Sequence, residues 1–181
     1  VSISGAKSGH IVTIAWEALG AASYRVSLAS PSAAPRILAT STTATSGSWT
    51  LRTGTHLFTV EALDGSGAVS SSAAWSVSVV QATATLRLKA TKAHGRAPLP
   101  VDISAVLRST DGGVATRGQT IVLESFDGTS WSRAAKSTTD ASGRVIWRFL
   151  LDRGTYRVRA RSLATSELAA AASRPITVRA R

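Results

Sequence analysis

Gly154-Thr155-Tyr156-Arg157-Val158-Arg159-Ala160-Arg161 alternates without a break. In an extended strand successive side chains point to opposite sides. Tyr156, Val158 and Ala160 then fall on one face, and Arg157, Arg159 and Arg161 on the other. This is the period of a strand, not of a helix. The segment reads as a strand with an apolar inner side and a cationic outer side. A stretch nearer the start of the chain follows the same plan: after Gly54-Thr55, the residues His56, Phe58, Val60 and Ala62 share a face, and the run ends at the turn-forming Asp64-Gly65-Ser66-Gly67.

The pattern extends outward from both anchors. His10 to Trp16 sets Val12, Ile14 and Trp16 on one side, and Tyr24, Val26 and Leu28 alternate with Arg25 and Ser27. Ile37 and Leu38 mark a short strand after the breakers Pro31 and Pro35. Trp49 and Leu51, then Trp75, Val77 and Val79, complete six or seven strands in the first half. The second half repeats the plan. Leu86 and Leu88; Val101, Ile103 and Ala105; Ile121 and Leu123; Val145, Trp147 and Phe149; and Ile176 and Val178 each supply one buried face. Turns are marked at Asp127-Gly128 and Asp140-Ala141-Ser142-Gly143. The alanine-rich 162–173 segment is the exception and is expected to be either an irregular connection or a short helix.

The predicted fold class is therefore all-β. It comprises two tandem sandwiches with Greek-key connections, residues 1–81 and 82–181, and no Gly/Ser- or Pro-rich linker lies near 80–84. At 181 residues the chain suits two domains of this kind. There is no cysteine, so disulfides and thiolate metal sites are excluded. No apolar run is long enough for a membrane-spanning helix. No signal peptide opens the chain and Val1 stands where a start methionine would, so we expect a mature or excised piece of a larger precursor.

The net charge of +11 is placed unevenly. Four basic and three acidic residues fall in 1–82, whereas seventeen basic and seven acidic residues fall in 83–181. The second half is the part that seeks an anionic partner. Arginine outnumbers lysine seventeen to four, which with the abundant alanine is a composition common in GC-rich genomes.

The first half resembles fibronectin type III and related bacterial Ig-like domains. Trp16, Tyr24-x-Val26, Leu51 and the block from Gly54 to Gly67 carry the likeness, with His56 where that family usually has Tyr. The second half is similar to the Ig-like, prealbumin-like sandwiches appended to secreted actinobacterial enzymes and surface proteins. Its blocks are Gly118-x-x-Ile121-x-Leu123, Asp127-Gly128-x-x-Trp131, Thr139-Asp140-Ala141-x-Gly143-Arg144 and Gly154-Thr155-Tyr156-Arg157-Val158. The resemblance implies a secreted or cell-surface spacer, stalk or adhesive module with no catalytic residues. It also places His56 and Tyr156 at the corner opening strand F, with polar tips bonded to nearby backbone.

Motif by motif, the residues point away from an enzyme. His10, His56 and His94 are scattered, no second histidine stands at metal-ligand spacing, and no cofactor is implied. The aspartates mostly occupy turns (Asp64, Asp111, Asp127, Asp140 and Asp152), where a loop calcium site at Asp64 or Asp127 would find few hard oxygen ligands. There is no GxSxG, HExxH or P-loop. Trp16, Trp75 and Trp147 share parity with aliphatic neighbours and read as core. Trp49 and Trp131 follow turns and are candidates for stacking on a sugar ring, with Trp131 alternatively covering one end of its sandwich.

The remaining candidate is the arginine row. In an Ig-type sandwich strand F lies between strands G and C, so Arg179 on G and Glu124 on C join Arg157, Arg159 and Arg161 on one outer face. This face reads either as a solvated surface or as a platform for an anionic partner: an envelope polymer, a glycan or an acidic protein. Read as a solvated row, Arg157, Arg159 and Arg161 are replaceable by serine with little loss of folding. No nucleic-acid-reading motif is present. The runner-up readings are a carbohydrate-binding accessory module and a subunit of a surface assembly, in contact with other domains of its precursor.

Overall fold

Alternation in the sequence becomes two-sidedness in space. The computed structural model describes residues 2–4 (backbone path only), 9, 11–17, 20–30, 33–110 and 114–181. His10, Pro31 and Asp111 lie outside the described residues. The chain divides into two compact units, Val1–Gln81 and Ala82–Arg181. The described residues form strands, turns and irregular connections, with no helix among them.

The first unit contains β1 (Ser2–Ser4), β2 (Ile11–Ala15), β3 (Ser23–Ser30), β4 (Ala33–Thr42), β5 (Ser46–Thr50), β6 (Gly54–Leu63) and β7 (Val69–Val79). They pair as a three-stranded sheet β1-β2-β5 and a four-stranded sheet β4-β3-β6-β7. The chain crosses between the sheets after β2, β4 and β5, which is the Greek-key connection. Val12, Ile14, Val26, Leu28, Phe58, Val60, Val77 and Val79 fill the space between the sheets. Trp16 meets Tyr24 edge-on at 5.8 Å, and Trp49 tilts against Phe58 at 5.4 Å.

The expected short strand at Ile37 is longer than the sequence suggests, because β4 runs straight through Pro35. Proline lacks an N–H and is tolerated in a sheet only where no ladder bond is lost, chiefly at an edge. β4 is an edge strand, and its pairing with β3 is broken by register shifts.

The second unit contains β8 (Ala84–Ala90), β9 (His94–Gly95), β10 (Leu99–Ser109), β11 (Thr120–Phe126), β12 (Trp131–Thr138), β13 (Arg144–Leu151), β14 (Gly154–Ser162) and β15 (Ile176–Ala180). One sheet has the order β13-β10-β8. The other has the order β12-β11-β14-β15-β9, in which only the β15–β9 pairing is parallel. Leu107, Ile121, Leu123, Ala160 and Leu168 are almost wholly enclosed in its core, together with Val145, Trp147 and Val158.

Both corner residues behave as the resemblance implies. The Tyr156 hydroxyl donates to the Asp152 carbonyl at 3.0 Å, and the His56 ring stands 2.7 Å from the Arg52 carbonyl. Each bond reaches four residues upstream. A carbonyl only accepts, so Nε2 of His56 carries the hydrogen. Nδ1 faces the Ser30 hydroxyl at 2.8 Å. Histidine in the tyrosine position thus keeps the corner bond and gains a second one to strand β3.

The 162–173 segment is irregular, not helical. Its backbone donors are committed to partners a helix would not use. Ala169 N–H donates to Ala82, Ser173 N–H to Ala160, and Ala171 N–H to the Ser162 hydroxyl, each at 2.8–2.9 Å. These bonds let Leu168 reach the core, where it is 1% exposed. Tertiary packing has overridden the helix preference of alanine. Replacing Leu168 by Ala should cost about 2–5 kcal/mol of unfolding free energy, as for other buried leucines. Chemical denaturation monitored by Trp147 fluorescence measures it; a cost near zero would show that the segment is only draped over the core.

Candidate cationic face

Strand β14 sits between β11 and β15, which sets the neighbours of every arginine in the row. Arg157 lies opposite Phe126 on one side and Thr177 on the other, Arg159 opposite Glu124, and Arg161 opposite Val122. Arg179 pairs with Thr155 on the same outer side. No arginine of the row therefore faces another arginine directly across a strand pair, which removes the largest cross-strand repulsion.

The row is not uniformly solvated. Glu124 is only 9% exposed, yet it sits on the outer face. One of its carboxylate oxygens accepts from Arg159 Nε at 2.6 Å, and the other stands 3.9 Å from Arg161 Nε. The Arg159 guanidinium also stacks over Trp131, 4.3 Å from the ring centroid. Arg157 stands 5.7 Å from the same ring and 5.3 Å from Phe126, and the two rings are 5.1 Å apart. Glutamate, guanidinium and aromatic rings form one connected layer over the sheet. Charge attraction and the negative ring faces hold the guanidiniums flat against it.

This arrangement corrects two expectations. Trp131 does not cover an end of the sandwich; it is half-buried on the outer face, beside Phe126 and two guanidiniums. Arg159 is not freely replaceable, because its loss would leave Glu124, shielded from water, with only the longer contact to Arg161. Trp49 lies in the first unit, turned inward onto Phe58 and over Gly47. The two candidate stacking tryptophans are thus in different units, and neither is a bare platform.

The structure adds two cations that simple alternation hides. Arg133 pairs with Glu124, and Lys136 pairs with Val122. They are three residues apart, so a regular strand would set them on opposite faces. A bulge in β12 opposite Leu123/Glu124 brings both outward. The outer face then carries Arg133, Lys136, Arg157, Arg159, Arg161 and Arg179 against Glu124. Arg133, Lys136 and Arg179 have no carboxylate within ion-pair distance among the described residues.

The turn that joins β11 to β12 fixes this layer. Asp127 accepts from the N–H and hydroxyl of Thr129, each at 2.8 Å, and from those of Ser130 at 2.8 and 3.0 Å. Gly128 takes the positive φ of 108° that closes the turn. These bonds, the Ser130 N–H first, hold the Asp127 carboxyl far below the usual carboxylate range. Asp64 and Asp140 are lowered too, chiefly by the hydroxyls of Ser66 and Ser142. Both oxygens of Asp127, and one oxygen each of Asp64 and Asp140, accept bonds within their own turns, and no group of three metal-ligating side chains occurs among the described residues.

No protein-family model matches the chain, and no curated protein matches its sequence. Solved structures with a similar course exist. A two-domain fibronectin type III segment of chicken tenascin shares 16% identity at a TM-score of 0.48, covering 97% of this chain and 94% of that one. Fibronectin(III)-like modules of Clostridium thermocellum CbhA share 17% at 0.37, covering 96% and 86%. The Yersinia pseudotuberculosis adhesin InvE shares 13% at 0.41, covering 94% of this chain and 53% of that one. Three strands packed on four or five, with Greek-key crossings, give the chain its fold: tandem sandwiches of the fibronectin type III-like, Ig-like kind.

Two outcomes test this geometry. Arg159→Ala should destabilise the second unit by about 1–3 kcal/mol, whereas Arg179→Ala should change stability by less than about 0.5 kcal/mol; urea unfolding compares them. The lowered aspartates have the sign of groups that stabilise the fold above their unfolded value, near 3.8, and lose that contribution as pH falls below it. The drop in Tm between about pH 5 and pH 2 should therefore be smaller in Asp127→Ala/Asp140→Ala than in the unaltered protein; an equal drop contradicts the turn bonding.

Proposed function

We propose that this protein is a non-catalytic binding and spacing module of an exported bacterial protein, and that its second unit contacts an anionic partner through the outer face of β12-β11-β14-β15. The observation that carries this reading is the set Arg133, Lys136, Arg161 and Arg179 around a single glutamate. Arg157 and Arg159 are bound into the aromatic layer and stiffen the face; the other four supply reach and charge. The sheet beneath these cations is already ordered, so binding needs no rearrangement of the backbone, which favours retention of a repeating anion. The first unit, nearly neutral, acts as a spacer.

The test is retention of the full chain on anionic cell-wall material along a salt gradient. Arg133→Ser/Lys136→Ser/Arg161→Ser/Arg179→Ser should elute at clearly lower salt, with Tm lowered by less than in Arg159→Ala. Unchanged elution sinks the proposal. Elution shifted equally by four serines placed in the first unit would reduce it to a net-charge effect.

A further inference from the structure

The opposite sheet of the second unit is also cationic, and the proposed function makes no use of it. Arg87 and Lys89 project outward from β8, Arg108 from β10, and Arg144 and Arg148 from β13, while their alternate neighbours Leu86, Leu88, Leu107, Val145 and Trp147 point into the core. The strand pairing sets Arg144 and Arg87 on either side of Val106, and Lys89 beside Ser104. The acid on this face is Asp102, opposite Arg148 at 3.9 Å, and that arginine side chain is 83% exposed. Two sheets about 10 Å apart therefore present cations in opposite directions, while Asp127, Asp140 and Asp152 are kept in the turns.

We infer that the second unit has two anion-binding faces and bridges two segments of a linear acidic polysaccharide. The inference rests on the proposed reading of the first face and adds the sheet β13-β10-β8. Three observations select this partner. Cations on alternate residues recur about every 6.5–7 Å along a strand, which suits a polymer with repeated charges. Exposed apolar residues alternate with the arginines along β13, Ile146 (44%) between Arg144 and Arg148 and Leu150 (66%) just beyond Arg148, and offer apolar contact to the C–H faces of sugar rings. Binding of single-stranded nucleic acid uses aromatic rings on which bases stack, and the second face carries none among the described residues, whereas the rings of the first are occupied by guanidiniums.

The experiment uses the full chain with polygalacturonate as the probe. Right-angle light scattering reports bridging, and fluorescence titration across a salt series reports binding. The unaltered protein should give a scattering maximum near charge equivalence that collapses in excess polymer. Arg87→Gln/Lys89→Gln/Arg108→Gln/Arg144→Gln should lose the maximum while still binding, with an unchanged Tm; glutamine keeps the aliphatic stem over the sheet. A companion Lys set at the three arginine positions should keep the maximum, which separates loss of charge from loss of fold. Clustering undiminished in the Gln set overturns the inference and leaves the proposed function standing. Loss of all binding in the Gln set, with full binding in the Ser set of the other face, overturns the proposed function instead. Polyglutamate or duplex DNA clustering at the same salt as polygalacturonate overturns the choice of partner.

Discussion

The pairing of β11 with β14 sets everything that distinguishes the second unit. Its register joins Leu123 to Ala160 on the inside and Glu124 to Arg159 on the outside. A slip of one residue would turn Arg157, Arg159 and Arg161 into the core and expose Val158 and Ala160. Burying even one unpaired guanidinium costs several kcal/mol, so the slipped sheet does not compete. The cationic row thus defends the register while it builds the surface. Glu124 anchors that register from the outer side, where the Arg159 contact is available only in the native pairing.

The two units use one strand plan for different ends. In each, a residue two positions after a glycine closes a corner onto the backbone four residues upstream. In each, an Asp-led turn draws its carboxylate into local bonds. The first unit then alternates its core with serine, threonine and alanine, and its outer surface stays near neutral. The second substitutes arginine at equivalent outward positions. The core does not register this change, because outward residues of a strand are decoupled from the packing beneath it.

The sequence was most legible where alternation is strict. β14, β13 and β6 follow directly from period two, and Gly54 and Gly154 reveal the corners. Legibility failed wherever the period is broken. The bulge in β12 leaves no mark in the residues 133–136, and strict alternation would set Lys136 on the face opposite Arg133. Pro35 reads as a breaker, since nothing local states that its strand is an edge. Leu168 sits among alanines, and its burial depends on Ala82 and Ser162, which are distant or ambiguous in sequence. Of the Glu124–Arg159–Trp131 layer, only the shared sidedness of Glu124 and Arg159 is legible in the sequence. Its contacts depend on the hairpin at Asp127 bringing Trp131 beside Phe126, a geometric fact about rings and not a pattern of types.

The proline in β4 has a consequence for how such molecules coexist. An exposed sheet margin is a template onto which another chain can add a strand, and a surface crowded with tandem sandwiches multiplies the chances. Pro35 deletes one donor from that template, and the register shifts along β4 spoil its straightness. The β4 margin is therefore a poor template for strand addition, and of the two edges of its sheet it is the one guarded in this way.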